Sequence, residues 1–322
     1  MDQVINLGIP HVGETIFQNL KTQDLISCKS VSKTWKILAE QVSAKRWKTK
    51  VIQACKESKL EVIQTLLTHT QGQDINWNIR DNQRRTPFMW ACHSGSKKMV
   101  ALLLSYKRTK RIEVNAKDIN GRTAFFYACS NGHFGVLEVL LNNEHHESID
   151  LNAKDLVGST PFMSACSSGY RKVVKILLEL GSESIKMNER DKDGVTAFIY
   201  ACMKGHTEVV KLLLEHSERH EIKLNERENH GMTGFICACF LGWIDIVKLL
   251  LEYSESIDLN ARDKRGRTGL YWACERQETK VVELLMENSK SKGIIVPHDM
   301  STFDPKIRYL LYFSNNKVSQ FL

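Results

Sequence analysis

Residues 86–92 read TPFMWAC, and near-copies follow: TAFFYAC (123–129), TPFMSAC (160–166), TAFIYAC (196–202), TGFICAC (233–239) and TGLYWAC (268–274). Each copy sits inside a longer repeat, and residues 118–152, DINGRTAFFYACSNGHFGVLEVLLNNEHHESIDLN, show its layout. Asp118 and Gly121 are turn residues ahead of Thr123, which is placed to cap a helix. Gly121, Gly158, Gly194, Gly231 and Gly266 fill one slot, where the backbone needs positive φ. Pro or a small residue follows the Thr, as suits the first helical position. Phe125, Ala128 and Cys129 then share one face of a short helix, and Gly132 ends it. A second helix should carry Val136, Val139 and Leu140 on one stripe, with Leu141 beside it. A polar loop and a short extended segment, Ile149, Leu151 and Asn152, complete the repeat. Asn78, Asn115, Asn152, Asn188, Asn225 and Asn260 mark that last position throughout.

One such repeat cannot bury its apolar face alone, and stacking on the next copy buries it; the recurrence encodes identical neighbour contacts. Seven of the nine cysteines (Cys55, Cys92, Cys129, Cys166, Cys202, Cys239 and Cys274) recur at spacings of 37, 37, 37, 36, 37 and 35. Equivalent positions in stacked helices lie ~8–10 Å apart, beyond the ~7 Å limit for a disulfide. No C-x₂-C pair occurs, and the C-x-C of Cys237 and Cys239 is a weak metal signal. The cysteines are therefore expected to be small buried hydrophobes in a reducing compartment.

The motif resembles the ankyrin repeat, whose signature is D-x-x-G-x-T-P-L-H-x-A, over about residues 51–296. The resemblance implies an all-α ankyrin-repeat solenoid of about seven helix-pair units with hairpin fingers. Two departures stand out. Met89, Phe126, Met163, Ile199, Ile236 and Tyr271 replace the family's His, so apolar packing should substitute for its bond to Thr. The period also exceeds the usual one, and the extra residues fall between the second helix and the finger tip, as at Tyr106–Arg111 and His216–Ile222. Residues 51–79 lack Thr-Pro and read as an N-terminal capping repeat. At the other end, Asp304-Pro305 looks like a helix start, with Ile307, Leu310 and Leu311 on its apolar face, and residues 297–322 read as a C-terminal capping segment.

Residues 16–40, IFQNLKTQDLISCKSVSKTWKILAE, give a helical apolar pattern broken by a turn before Asp24. One reading is a helical hairpin that only caps the solenoid. The spacing of Ile16, Phe17, Leu20, Asp24, Leu25, Cys28, Val31, Ser32, Trp35 and Leu38 also resembles the F-box, the module that docks on the Skp-type adaptor of cullin–RING ubiquitin ligases. Ile9-Pro10 approximates the family's Leu-Pro start, one residue too close to Ile16, and the acidic residue two after Pro is missing. The resemblance implies an F-box-like module over 1–48, the repeats over 49–296, and adaptor contacts by Pro10, Ile16, Phe17, Leu20, Leu25, Val31 and Trp35.

The totals constrain function by exclusion. The N-terminus lacks the basic start and apolar stretch of a signal peptide, and no apolar run is long enough for a bilayer, so an intracellular location, cytoplasmic and/or nuclear, is expected. Net charge is +8, and residues 1–50 hold eight basic and four acidic groups; a nucleic-acid binder shows a sharper stripe, so nucleic acid is a minor option. No phosphate-binding glycine loop, H-E-x-x-H or G-x-S-x-G occurs. No enzymatic activity, cofactor or metal is expected; His145-His146 between Glu144 and Glu147 reads as a solvated loop.

Function should then be protein binding by a monomer, with an Skp-type adaptor and a protein substrate as partners. In ankyrin repeats the concave face is lined by the residues around the turn glycine and those before the helix-ending glycine. That carry-over picks Arg85, Arg122, Leu156, Val157, Met232, Phe240, Leu241 and Arg265 as partner-binding residues. For Phe240 and Leu241, packing inside the apolar helix FICACFLGWIDIV stays an equal reading. The basic stretch Tyr106–Arg111 reads as a solvated loop, with contact to an acidic partner or a nuclear-import role as minority readings. The competing class is a non-enzymatic ankyrin scaffold whose N-terminal helices only cap the stack.

Overall fold

The computed structural model describes residues 48–69, 76–105, 112–142, 148–297 and 301–316. The F-box-like segment, Tyr106–Arg111 and His145-His146 lie outside them. The chain divides into an N-terminal body, Met1–Glu113, and a C-terminal body, Val114–Leu322. Every regular element among the described residues is helical.

The described part of the N-terminal body starts with helical residues 48–56, followed by α1 (Leu60–His69), α2 (Pro87–His93) and α3 (Lys97–Ser105). In the C-terminal body an inner and an outer helix alternate: α4 (Ala124–Ser130) and α5 (Phe134–Leu141), α6 (Pro161–Ser167) and α7 (Arg171–Glu179), α8 (Ala197–Met203) and α9 (Thr207–Glu215), α10 (Gly234–Phe240) and α11 (Ile244–Glu252), α12 (Gly269–Glu275) and α13 (Thr279–Glu287). From α4 to α12 each inner helix packs on the next inner helix, from α5 to α13 each outer helix on the next outer one, and α14 (Pro305–Asn316) packs on α13.

An inner helix of seven residues is far too short to hold itself together in water, so caps and packing must fix it. Thr86, Thr123, Thr160, Thr196, Thr233 and Thr268 all sit at the N-cap in extended backbone, and each hydroxyl accepts the N–H three residues on at 3.2–3.3 Å. Apolar packing does replace the expected Thr–His bond, since Met89 and Met163 are buried. In these two repeats the Met sulfur also accepts the Thr N–H, at 3.4 Å, which closes a capping box with a soft acceptor.

Phe88, Phe125, Phe162, Phe198 and Phe235 are almost fully enclosed, each within its own body, and the Ala-Cys pair of every inner helix is buried behind them. The small Ala and Cys side chains let adjacent helices approach. The outer helices bury a wedge rather than one stripe. In α5 it is Val136, Leu137 and Leu140 that go inside, whereas Val139 and Leu141 are half-buried. The expected Val139 gives way to Leu137 because an outer helix touches both its own inner helix and its outer neighbours, so the buried positions run i, i+1, i+4. Val173, Val174, Leu177 and Leu178 of α7 repeat the pattern.

Two glycine slots are explained by the backbone. The turn glycines run from φ +77 to +87°, and a Cβ on Gly121 would stand 3.2 Å from the Cα of Asp155. The helix-ending Gly205, at φ +76°, lies under the Trp243 ring of the following repeat, whose nearest atom would be 2.9 Å from a Cβ. The I-x-h-N segment, expected to be extended, is instead a turn at Leu151-Asn152, because the Asp150 carboxylate accepts the Asn152 N–H and curls the chain. In α14, Asp304 accepts the Lys306 N–H at the start, and Ile307 and Leu311 are buried while Leu310 is half-buried.

Candidate partner-binding surface

The fingers are built around one acid each. Asp118 Oδ1 accepts the N–H groups of Asn120 and Arg122, both at 2.8 Å, and its Oδ2 accepts the Tyr127 hydroxyl at 2.6 Å. Asp191 does the same with Asp193, Val195 and Tyr200. Asp81 and Asp263 use an indole instead, Trp90 and Trp272, at 3.0 and 3.1 Å. One carboxylate thus fixes the turn backbone and ties it to the inner helix. Asp155 and Glu228 lack that aromatic partner, since Ser164 and Cys237 stand nine residues on. Asp155 has Arg122 of the preceding finger at 3.5 Å, and Glu228 has the His230 ring at 2.8 Å.

These acids are tuned by their donors. Burial of Asp263 pushes its carboxyl up, but the Arg267 N–H and guanidinium, the Arg265 N–H and the Trp272 indole more than offset it and hold it below the ordinary range. Asp81 and Glu228 are lowered in the same way against burial, by Arg85, Trp90 and Gln83 in one case and by His230 and Met232 in the other.

The fingers are joined by asparagines. Asn188 donates its amide to the Glu221 carbonyl at 2.8 Å and accepts the Lys223 N–H at 2.9 Å. Asn115, Asn152, Asn225 and Asn260 form the same two bonds with the next loop. Neighbouring tips add backbone bonds, such as Leu156 N–H to the Asn120 carbonyl at 2.8 Å and Lys264 N–H to the His230 carbonyl at 2.9 Å. The exposed tip side chains therefore ride on a fixed frame.

The expected partner-binding residues fall into different settings. Arg85 stacks on the Trp90 indole at 3.9 Å and pairs with Asp81, so its guanidinium is engaged internally. Arg122 is half-buried between Asp155 and the Phe126 ring. Leu156 and Val157 are 59% and 57% exposed. Met232 is half-buried and packs against Val195, Ile199 and Cys237. Phe240 is half-buried, edge-on to Trp272 at 4.9 Å, while its neighbour Leu241 is 37% exposed. Arg265 is exposed at a finger tip. The adaptor-binding set lies outside the described residues. The carboxylate hubs and their aromatic partners were not foreseen, although an Asp nine residues before a Trp or Tyr was visible in four repeats.

The family comparison fits this geometry. Models of ankyrin repeats in three copies match residues 30–118, 51–155, 107–189, 144–228, 182–263 and 219–295. The chain belongs to the ankyrin-repeat family. The F-box domain matches residues 10–47, ahead of most of the ankyrin array. Comparison with curated proteins finds no match. Among solved structures, the chain is similar to the ankyrin repeat domain of Bcl-3, a unique member of the IkappaB protein family, at 24% identity and a TM-score of 0.60, covering 73% of this chain and 97% of that one. It is also similar to the human ASB11 ankyrin repeat domain, at 22% identity and a TM-score of 0.59, covering 72% and 96%. These likenesses concern the fold. Ankyrin repeats and F-box domains are non-catalytic interaction modules, and the chain is accordingly a protein-interaction module. Among the described residues no helix is long and apolar enough to cross a membrane.

Proposed function

We propose that this ankyrin-repeat chain is the substrate-recognition subunit of an SCF-type cullin–RING ubiquitin ligase. The observation that carries the proposal is the F-box match at 10–47 in the same chain as the ankyrin repeats. In this arrangement residues 1–48 dock on an Skp-type adaptor through Pro10, Ile16, Phe17, Leu20, Leu25, Val31 and Trp35. The repeats over 49–296 hold a protein substrate on the face that carries Leu156, Val157, Met232, Phe240, Leu241 and Arg265, and residues 297–322 cover the last repeat. The chain itself performs no bond chemistry. It raises the effective concentration of a target lysine near a ubiquitin-loaded enzyme. The eight cysteines among the described residues are all buried and free, which suits a reducing cytoplasm or nucleus.

The test is co-purification of the full chain with an Skp-type adaptor, repeated with Leu25→Ala plus Trp35→Ala. The wild type should retain the adaptor and the double variant should lose it at unchanged melting temperature. An adaptor that never associates with the wild type ends the ligase role. Deleting residues 1–45 separates this from a capping role: a cap, once removed, lowers the melting temperature of the array, whereas an F-box comes away with little loss of stability.

A further inference from the structure

We infer that the face formed by the last three inner helices of the C-terminal body, α8, α10 and α12, takes an extended acidic segment of a protein carrying one large aliphatic or aromatic side chain. The inference rests on the proposal that the ankyrin face holds the substrate, and adds the chemistry of what is held. The residues that close α8, α10 and α12 are Lys204, Leu241 and Arg276, in that order along the stack. Both cations are exposed and Leu241 is 37% exposed, so an apolar contact is bracketed by two positive charges. Further up the same face the finger 262–267 reads RDKRGR, and Lys264 and Arg265 at its tip are exposed and form no ion pair among the described residues.

Of the acids at this face, Asp193 on the finger of the α8 repeat and Glu275 are exposed, and the half-buried Glu278 carboxylate lies against Gly242. Asp263 and Glu228 are buried and bound to the backbone of their own turns. Earlier in the stack two cations that precede a hub are neutralised, Lys154 by Glu189 and Arg190 by Glu226, whereas among the described residues the equivalent Arg227 and Arg262 bond to carbonyls, of Arg262 and Gly266. Glu275, at the end of α12, is the exposed acid nearest in sequence to Arg276. At these finger-tip and helix-end positions the exposed cations Lys192, Lys204, Lys264, Arg265 and Arg276 outnumber the exposed acids Asp193 and Glu275, which selects an acidic partner.

The apolar chemistry favours a protein over a nucleic acid. Base stacking needs an open aromatic face. Here the Trp272 ring lies under the Arg267 guanidinium at 3.8 Å, and the Phe240 ring lies under Arg276 at 4.9 Å while meeting Trp272 edge-on. Beside them Leu241 stays open, and Trp243, 40% exposed, has one ring face over Gly205 and its indole N–H on the Met203 carbonyl, so the pair suits a side chain such as Leu or Phe. Lys204 and Arg276 are two repeat steps apart, ~16–20 Å at a helix-packing spacing of ~8–10 Å, which an extended chain spans in about six residues. The preferred segment thus has acids about three residues to either side of its apolar anchor.

The probe is a fluorescein-labelled Asp/Glu peptide of about ten residues with a central Phe, read by anisotropy against the full chain, beside the same peptide with a central Ser. The wild type should bind the Phe peptide, prefer it to the Ser peptide, and lose about tenfold in affinity as salt rises from roughly 0.05 to 0.5 M. Lys204→Glu plus Arg276→Glu should weaken binding roughly tenfold, and Leu241→Ser should erase the Phe preference. All three positions are exposed, so melting temperatures should hold, and Lys211→Glu plus Lys248→Glu, exposed on the outer helices α9 and α11, should bind as the wild type does. No binding, equal binding by the charge-reversed variant, equal affinity for the two peptides, or tighter binding of an oligothymidylate of matching charge overturns the inference. Adaptor capture is run on the same samples. If the adaptor is held and the peptide is not, this surface alone falls; if the peptide binds and the adaptor does not, the surface stands and the ligase role falls.

Discussion

Asp263 offers the sharpest test of how the fingers are held. Its side chain is 3% exposed and accepts five donations: the N–H groups of Arg265 and Arg267 on Oδ1, both at 2.9 Å, and the Arg267 Nε and Nη2 and the Trp272 indole on Oδ2 at 2.9–3.1 Å. A hydrogen bond to a charged group contributes about 1.5–3 kcal/mol, and breaking a buried pair costs roughly 3–5 kcal/mol because the remaining partner is stranded. The Arg267 side chain is 23% exposed and can turn to water, which lowers its share. Asp263→Ala should therefore cost about 3 kcal/mol. Asp263→Asn keeps an oxygen for the two backbone N–H groups but turns an amide N–H₂ toward the guanidinium and indole, for a cost of about 1–2 kcal/mol. Urea unfolding followed by circular dichroism measures both, and tryptophan fluorescence should shift as the indole loses its carboxylate. A loss below about 1 kcal/mol for Asp263→Ala, or identical losses for the two variants, would refute the hub.

Stability should fall in acid. Asp81, Glu228 and Asp263 are held below their ordinary values, so their contribution is complete above the unfolded-state values of about 4 and drains away as pH falls through the lower folded ones. Urea midpoints that stay level from about pH 6 to pH 3 would contradict this. Burial lifts the thiols of Cys55, Cys237 and Cys274 to about 12, so in a Cys28→Ser variant the native protein should not react with Ellman's reagent, and all eight remaining thiols should react once it is unfolded. Gly205→Ala puts a Cβ 2.9 Å from the Trp243 ring at φ +76°, so thermal unfolding should show a loss of roughly 1–3 kcal/mol. Asn225→Ala removes two exposed bonds to the next loop and should cost about 1 kcal/mol, visible as faster hydrogen exchange at Asp258.

What could be read from the sequence was what repeats within one copy. The Thr cap, the turn glycine and the Phe/Ala/Cys face lie within ten residues of each other, and their spacing alone forces the inner helix. What could not be read depends on the neighbouring copy. The partners of each asparagine amide lie 31–35 residues downstream, so its position was evident and its role was not. Leu137 displaced Val139 from the interior because an outer helix meets partners on two sides, whereas a single-helix pattern assumes one. Arg85 looked available at a tip, but the indole of Trp90 and the acid of Asp81 converge on it. Ser164 and Cys237, by contrast, left a trace: they break the nine-residue Asp-to-aromatic interval and mark where the tip acid must find another partner.

The asparagine relay also has a bearing on descent. Each Asn addresses only the main chain of the following loop, so the join does not depend on the side chains that differ between copies. Excising residues 153–188 would splice Asn152 to Glu189 and present it to the carbonyl and N–H that Asn188 meets now, at Glu221 and Lys223. Crossing-over between copies can therefore shorten or lengthen such a gene in whole modules while each junction re-forms unaided. Copy number becomes a variable open to selection, and the melting temperature of the spliced chain would show how freely.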